Sequence, residues 1–162
     1  MEKELYEIVN RVKDPEIPTI SVVELGVVRN IEHIDGKVIV TITPTYSGCP
    51  ALDVMRNDIA LELKESGYED VEIKTVLSPA WTTDWLSETA KHKLIESNIA
   101  PPISSAKEYA NLLNVVDDSP AVPCPYCNTK DTRLVAEFGT TACKSLYVCN
   151  DCSQPFDYFK PH

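Results

Sequence analysis

The sequence predicts an α+β fold in two parts: a small layered α/β domain followed by a cysteine-built ribbon. Two observations carry this. Segments of helical and strand period alternate over about the first 100 residues, as expected where helices cover a sheet. Two Cys-x-x-Cys pairs, Cys124-Pro-Tyr-Cys127 and Cys149-Asn-Asp-Cys152, then lie near the end of the chain. On this reading residues 1–102 form the first domain, 103–120 a linker with a short helix, and 121–162 a zinc-ribbon module.

Each element follows from its own pattern. Leu5, Ile8, Val9 and Val12 recur at helical spacing, and Asp14-Pro15-Glu16-Ile17-Pro18 stops that helix because proline disfavours helix at the residue before it. Two β-rich runs, 27–34 and 37–43, flank Asp35-Gly36, a strong hairpin signal. A second helix is predicted over 51–66, with Pro50 at its start, a stripe of Leu52, Met55, Ile59 and Leu63, and Gly67 as a left-handed cap. Residues 70–77 read as a strand. Thr82, Thr83 or Asp84 is expected to cap a third helix running to about Glu96, with Trp85, Leu86, Ala90 and Leu94 on its apolar side. Ser105–Leu113 reads as one more short helix, and Asp117-Asp118-Ser119-Pro120 as linker. The runs 132–138 and 145–148 supply the ribbon's hairpin.

Composition narrows the function classes. A formal net charge of -10 repels the phosphate backbone that dominates nucleic-acid affinity. No nucleic-acid partner is therefore expected. The opening residues are acidic, with no apolar signal segment, and no run has the length of a membrane span. A cytoplasmic protein is expected, and in reducing cytosol six cysteines serve metals or chemistry in place of disulfides.

The two Cys-x-x-Cys pairs are 21 residues apart, which suits one tetrahedral ion held by Cys124, Cys127, Cys149 and Cys152. Four thiolates leave no open position, so the ion holds the fold. Zinc is the favoured metal, although an iron-sulfur cluster also takes four cysteines. Cys143 is either a buried hydrophobe or an extra sulfur beside the site.

Cys49 stands apart, directly before Pro50 at the predicted start of the second helix. Helix N-termini favour negative charge, so a lowered thiol pKa is expected there. Two readings stay open: a reactive or cluster-handling thiolate, and a small residue buried at a strand-to-helix turn. His33 falls in a strand, His92 in a charged helix stretch and His162 at the terminus. None is tied by sequence to Cys49, there is no phosphate loop, and the chain supplies no self-contained catalytic set.

The motifs Asp14-Pro15-Glu16-Ile17-Pro18, Leu25-Gly26-Val27-Val28, Thr43-Pro44-Thr45 with Gly48-Cys49-Pro50, and Pro79-Ala80-Trp81-Thr82-Thr83-Asp84 resemble a small iron-sulfur cluster assembly domain. It is shared by bacterial SufT-like proteins and a eukaryotic cytosolic cluster-targeting factor. The C-terminal stretches Phe138–Lys144 and Pro155–Lys160 resemble the PaaD family, also called PaaJ. Its members are accessory subunits encoded with the multicomponent phenylacetyl-CoA epoxidase of aerobic phenylacetate breakdown.

The resemblance implies that Cys49 is the cluster-handling thiol, with Asp14 as its motif partner. It likewise makes Cys124, Cys127, Cys149 and Cys152 the ligands of a structural zinc. The function it implies is assistance in assembling or maintaining an iron-sulfur cluster, with a transient cluster at Cys49. Implied partners are the epoxidase components, especially the iron-sulfur reductase, and a general cluster-assembly scaffold. A cluster shared by two protomers is a further expectation, since each chain offers one such thiol. The alternative is a structural, protein-binding subunit without cluster transfer. Where the family often carries a cysteine after Asp-Tyr-Phe-Lys, Pro161 stands here, so any sulfur contribution from that position is missing.

Overall fold

The structure is a computed structural model and describes residues 2–103 and 121–161. The helix expected at Ser105–Leu113 and the linker at Asp117–Pro120 lie outside the described residues. The chain divides into two units: residues up to Trp81 with Trp85–Ala90, and Thr82–Asp84 with the chain from Lys91 onward. The expected first segment, 1–102, thus also contains residues of the second unit.

In the first unit, α1 (Glu2–Val9) buries Leu5, Ile8 and Val9. Its chain then turns around Asp14, whose Oδ1 accepts hydrogen bonds from the backbone N–H of Glu16 (2.9 Å) and Ile17 (2.7 Å). These bonds satisfy donors that proline-bounded backbone cannot pair in a helix. β1 (Val28–Ile34) and β2 (Lys37–Ile42) form an antiparallel hairpin. At its tip Asp35 and Gly36 both have positive φ, 52° and 84°, the backbone of a turn matched to strand twist. Val38, Val40 and Ile42 are wholly buried, each stabilising the unit by about 1.5–3 kcal/mol.

From β2 the chain passes through a loop holding Cys49 into α2 (Leu52–Glu65) and returns as β3 (Asp70–Thr75), parallel to β2. The sheet order is β1-β2-β3, so β2, α2 and β3 form a crossover unit. α2 buries Met55, Ile59 and Leu63, while Leu52 is only half-buried. Gly67, at φ 99°, ends the helix: its N–H donates to Lys64 O, and the Tyr68 N–H donates to Leu63 O. This is a left-handed glycine cap with both orphan carbonyls satisfied.

The segment after β3 corrects the expected helix start. Thr83–Trp85 is a single 3-10 turn, and α3 spans Glu88–Glu96. Its cap is Ser87, whose Oγ accepts from the Ala90 N–H at 3.0 Å, in place of Thr82, Thr83 or Asp84. Two motifs interlock to hold this arrangement. Trp81 Nε1 donates to Leu25 O at 3.1 Å, and Gly26 sits so near Trp85 that an added Cβ would lie 2.5 Å from its carbonyl oxygen.

The second unit is built on a four-stranded sheet of order β4-β7-β6-β5, comprising β4 (Ile99–Ala100), β5 (Thr132–Ala136), β6 (Lys144–Cys149) and β7 (Pro155–Phe159). β5, β6 and β7 are antiparallel, whereas β4 runs parallel to β7. Tyr147, Phe156 and Tyr158 pack with Val122, Cys124 and Cys149 into one small core. The Tyr147 ring stacks on Phe156 and meets Tyr158 edge-on, geometries favoured by the ring quadrupole.

Candidate functional site

The four sulfurs of Cys124, Cys127, Cys149 and Cys152 converge in the second unit, all within 4.8 Å of one another. Both knuckles are built alike. Each second cysteine is followed by a residue in the left-handed region, Asn128 (φ 61°) and Ser153 (φ 60°), which turns the chain back. The Asn128 N–H donates to Cys124 O at 2.8 Å, and the Cys152 N–H reaches Cys149 Sγ at 3.4 Å. Across the knuckles, Cys124 and Cys152 sulfurs are 3.7 Å apart and those of Cys127 and Cys149 3.6 Å. A tetrahedral zinc with Zn–S near 2.3 Å requires sulfur edges of about 3.8 Å. The residues present therefore fit the ion, which when bound closes the two knuckles on each other.

The thiols of this group titrate unequally. At Cys149, burial favours the neutral thiol but is outweighed by hydrogen bonds from the Cys152 N–H and from the Cys152 and Cys127 thiols, which bring it down to about 7. At Cys127 the Thr129 N–H favours the thiolate, yet burial and contacts with Cys149, Cys152 and Cys124 push it up to about 12. One sulfur thus sheds its proton first, and its negative charge opposes the loss of the rest. A dication reverses that opposition.

Cys143 lies outside this sulfur group. It is buried, its Sγ is 3.0 Å from Thr141 Oγ1, and its carbonyl accepts from the Lys160 N–H. The two C-terminal motifs prove to be partners. Lys144, buried, meets Asp157 at 3.3 Å, and Lys160 Nζ donates to Glu137 O while lying over the Phe138 ring.

In the first unit, Cys49 occupies the loop leaving the C-terminal end of β2. Open parallel arrangements place ligands at this end of their strands. The Cys49 N–H donates to Tyr46 O, and the Leu52 N–H donates to Cys49 O, each at 3.2 Å. This tight turn leaves the side chain half-exposed.

The expected lowering of its pKa is not what the fold produces. Burial is the largest influence and raises it, the charges of Glu16 and Asp14 raise it further, and hydrogen bonds from the Ala51 N–H and Thr45 side chain only partly offset them. The helix-start position does supply a donor. Desolvation and the acidic loop, brought in from more than 30 residues upstream, outweigh it.

The fold thus brings Asp14, Glu16, Thr45 and Cys49 to one place. Beside them is a cavity of about 220 Å³ walled by residues 43–47 on one side and Leu77, Ala80 and Trp81 on the other. His33 instead packs edge-on against Tyr68, and His92 is exposed. His162 lies outside the described residues. The part played by Thr45 and the cavity wall was missed by sequence reasoning. Its available signal was the hydroxyl run Thr43, Thr45, Tyr46, Ser47 directly before Gly48-Cys49.

Comparison with known proteins bears on both units. Residues 2–75 match the family described as iron-sulfur cluster assembly protein, and residues 111–160 match the PaaD zinc beta ribbon domain. An Escherichia coli protein provisionally named as a subunit of 1,2-phenylacetyl-CoA epoxidase is 40% identical over 97% of this chain and 91% of its own length. The chain belongs to the PaaD family. An Fe-S protein maturation auxiliary factor of Porphyromonas gingivalis is 35% identical over 57% of this PaaD-family chain and 90% of its own. A crystal structure of a domain of unknown function, DUF59, from Bacillus anthracis shares 28% identity. It has a TM-score of 0.54, covering 57% of this chain and 90% of that one. The fold of the first unit is therefore that of the iron-sulfur assembly domain. Among the described residues no helix is long and apolar enough to cross a membrane.

Proposed function

We propose that this PaaD-family chain is an accessory subunit of a phenylacetyl-CoA epoxidase system. In this reading it helps install or maintain an iron-sulfur cluster in the system's reductase component and does not itself oxidise the substrate. Support comes from the relative named as an epoxidase subunit and from those named as Fe-S maturation factors. The observation that carries the reading is the contrast between two kinds of sulfur. The quartet gathers four sulfurs within 4.8 Å of one another, a donor set suited to a zinc that stays. Cys49 is a single half-exposed thiol at a strand's C-terminal end, beside a cavity.

In this role Cys49 exchanges for a donor ligand on the incoming cluster: its sulfur–iron bond forms as the departing thiolate's bond to the same iron breaks, its proton passes to that thiolate or to solvent, and no electron changes hands. One thiolate per chain holds a cluster loosely enough to pass it on, since stable clusters take four cysteine ligands. The other ligands come from a second copy of this chain, from a scaffold, or from the client. The carboxylates of Asp14 and Glu16 oppose a bare thiolate but favour iron beside it.

A Cys49→Ser variant tests the reading. The test compares cluster occupancy of the reductase matured with wild-type or variant protein, while one zinc per chain is retained in both. Reduced occupancy with the variant is expected. Equal occupancy would overturn cluster handling and leave a protein-binding subunit.

A further inference from the structure

An edge strand offers unpaired N–H and C=O groups to any other strand, and proteins blunt such edges with bulges or by keeping them short. Three edges among the described residues are blunted in this way. β1 carries a register irregularity between Val28 and Asn30, β5 another between Leu134 and Ala136, and β4 is two residues long. β3 is different: it is an edge of the first sheet, yet it runs from Asp70 to Thr75 with unbroken register and no proline.

The pairing of β3 with β2 fixes which of its groups are on offer. The Val76 N–H donates to Ile42 O, and backbone groups alternate sides along a strand, so Glu72 and Lys74 also turn theirs toward β2. Val71, Ile73 and Thr75 turn theirs to the free side, where among the described residues they make no hydrogen bond. These three lie level with Val38, Val40 and Ile42 on the inner face. The β2 residues are 0% exposed, whereas Val71 and Ile73 are only half-buried. The apolar layer is therefore open along this edge.

Charge selects the occupant. Antiparallel pairing of β3 with its own copy about a two-fold axis keeps Val71, Ile73 and Thr75 at hydrogen-bonding positions in three neighbouring registers. Centred on Glu72, the pairing sets Glu72 opposite Glu72, and centred on Lys74 it sets Lys74 opposite Lys74. Centred on Ile73, it sets Glu72 opposite Lys74 on both sides of the axis, at the closer, non-hydrogen-bonded positions. Ile73 then meets Ile73 on the inner face, with Val71 against Thr75. The run Glu72-Ile73-Lys74 is thus self-complementary in one register and self-repelling in the registers beside it.

We propose that β3 is a dimerisation edge, pairing antiparallel with β3 of a second copy of this chain in the register centred on Ile73. The interface is isologous and closes on itself, and the outer edges of the joined sheet are the two bulged β1 strands. Dimerisation through β3 is independent of the role of Cys49 but bears on it. The two Ile42 residues would lie about 19 Å apart by strand rise and spacing, at opposite ends of the joined sheet. Cys49 leaves from that end in each copy, so the two thiols do not share one cluster across this interface. On the cluster-handling reading, the remaining ligands then come from scaffold or client.

The test uses the full chain with its ribbon zinc in place. Association is read by sedimentation equilibrium, and hydrogen exchange is read at the Val71, Ile73 and Thr75 amides. Wild type should dimerise reversibly, and those amides should gain protection as concentration rises. Glu72→Lys and Lys74→Glu each set like charges opposite one another at two places and should weaken association by about tenfold. Mixed in equal amounts they should restore it, because a Glu72→Lys chain facing a Lys74→Glu chain has opposite charges at both places. Ile73→Pro removes the central outward N–H without taking a bond from β2 and should leave a folded monomer.

A wild type that stays monomeric up to about 1 mM overturns self-pairing. A dimer indifferent to the charge variants and to their mixing overturns it as well, since it would lie on another face. Amide protection that appears only when a component of the epoxidase system is added would make that partner's strand the occupant and overturn the second copy.

Discussion

The carboxylate of Asp14 does two jobs at once: its Oδ1 holds the Glu16 and Ile17 N–H groups, and its charge acts on the Cys49 thiol. The relationship explains why a turn motif at the end of the first helix and a cysteine 35 residues later belong to one site. Burial is the larger influence that keeps the thiol protonated at rest, and the Glu16 and Asp14 charges add to it.

Alkylation rates follow from that state. Cys49 should react with iodoacetamide at neutral pH more slowly than an unhindered cysteine, because burial and then the Glu16 and Asp14 charges raise its pKa above 9.0. Glu16→Gln removes one of those charges without touching the Asp14 hydrogen bonds. It should speed alkylation by about two- to fivefold at pH 7.5. A rate unchanged by the substitution would show that the carboxylate does not act on the thiol. The same shift has a sign for stability. The folded chain binds the Cys49 proton more tightly than the unfolded chain, so this contribution is full below pH 9 and declines as pH rises above it.

Gly26 makes a second case, governed by backbone and space together. Its φ of 75° disfavours any side chain, and a Cβ there would meet the Trp85 carbonyl oxygen at 2.5 Å and its Cβ at 2.8 Å. Backbone atoms cannot give way as a side-chain tip can. Gly26→Ala should therefore cost about 2–4 kcal/mol, read as a lowered denaturation midpoint. A loss under about 0.5 kcal/mol, the range of an ordinary surface change, would contradict the packing described.

Much of this arrangement was legible where local chemistry decides it. Asp35-Gly36 specified the hairpin, and Gly67 ended α2 at the expected place, because φ preferences act within two or three residues. What escaped was set by distant segments. β4 is only two residues long and exists through its pairing with Asp157 and Tyr158. Ser87 displaced Thr82–Asp84 as helix cap because Thr83–Trp85 is drawn into a separate 3-10 turn. β7 did carry a signal, the alternation of Phe156 and Tyr158, but it opens on a proline. The quartet was readable from spacing. The direction of the Cys49 pKa was not, since it depends on carboxylates that only the fold brings near.

Metal removal should act on the second unit. Its core is Tyr147, Phe156 and Tyr158 with a few small residues and the buried sulfurs of Cys124 and Cys149, so metal binding contributes directly to folding. Cys149→Ser should abolish the expected one equivalent of zinc and the near-ultraviolet circular dichroism of the packed tyrosines. Retention of both in the variant would contradict a quartet that holds the ribbon. Protons compete with the metal, so zinc release should steepen as pH falls below the Cys149 value of about 7.

The Lys144–Asp157 pair allows a finer test of what the PaaD motifs do. The lysine side chain is 6% exposed and the aspartate 20%, with Nζ 3.3 Å from Oδ2, so each would be a poorly solvated charge without the other. Gly139 closes over them, since a Cβ there would come 3.0 Å from Asp157 Oδ1. Lys144→Met should destabilise the ribbon by about 3 kcal/mol, chiefly by stranding the carboxylate. Adding Asp157→Leu removes the stranded charge and should recover most of that loss, even though it deletes more polar groups. Additive losses in the double variant would mean that the two residues act independently. Recovery would identify the pair as a device that fixes the 138–144 loop onto β7, where apolar side chains could have supplied similar stability.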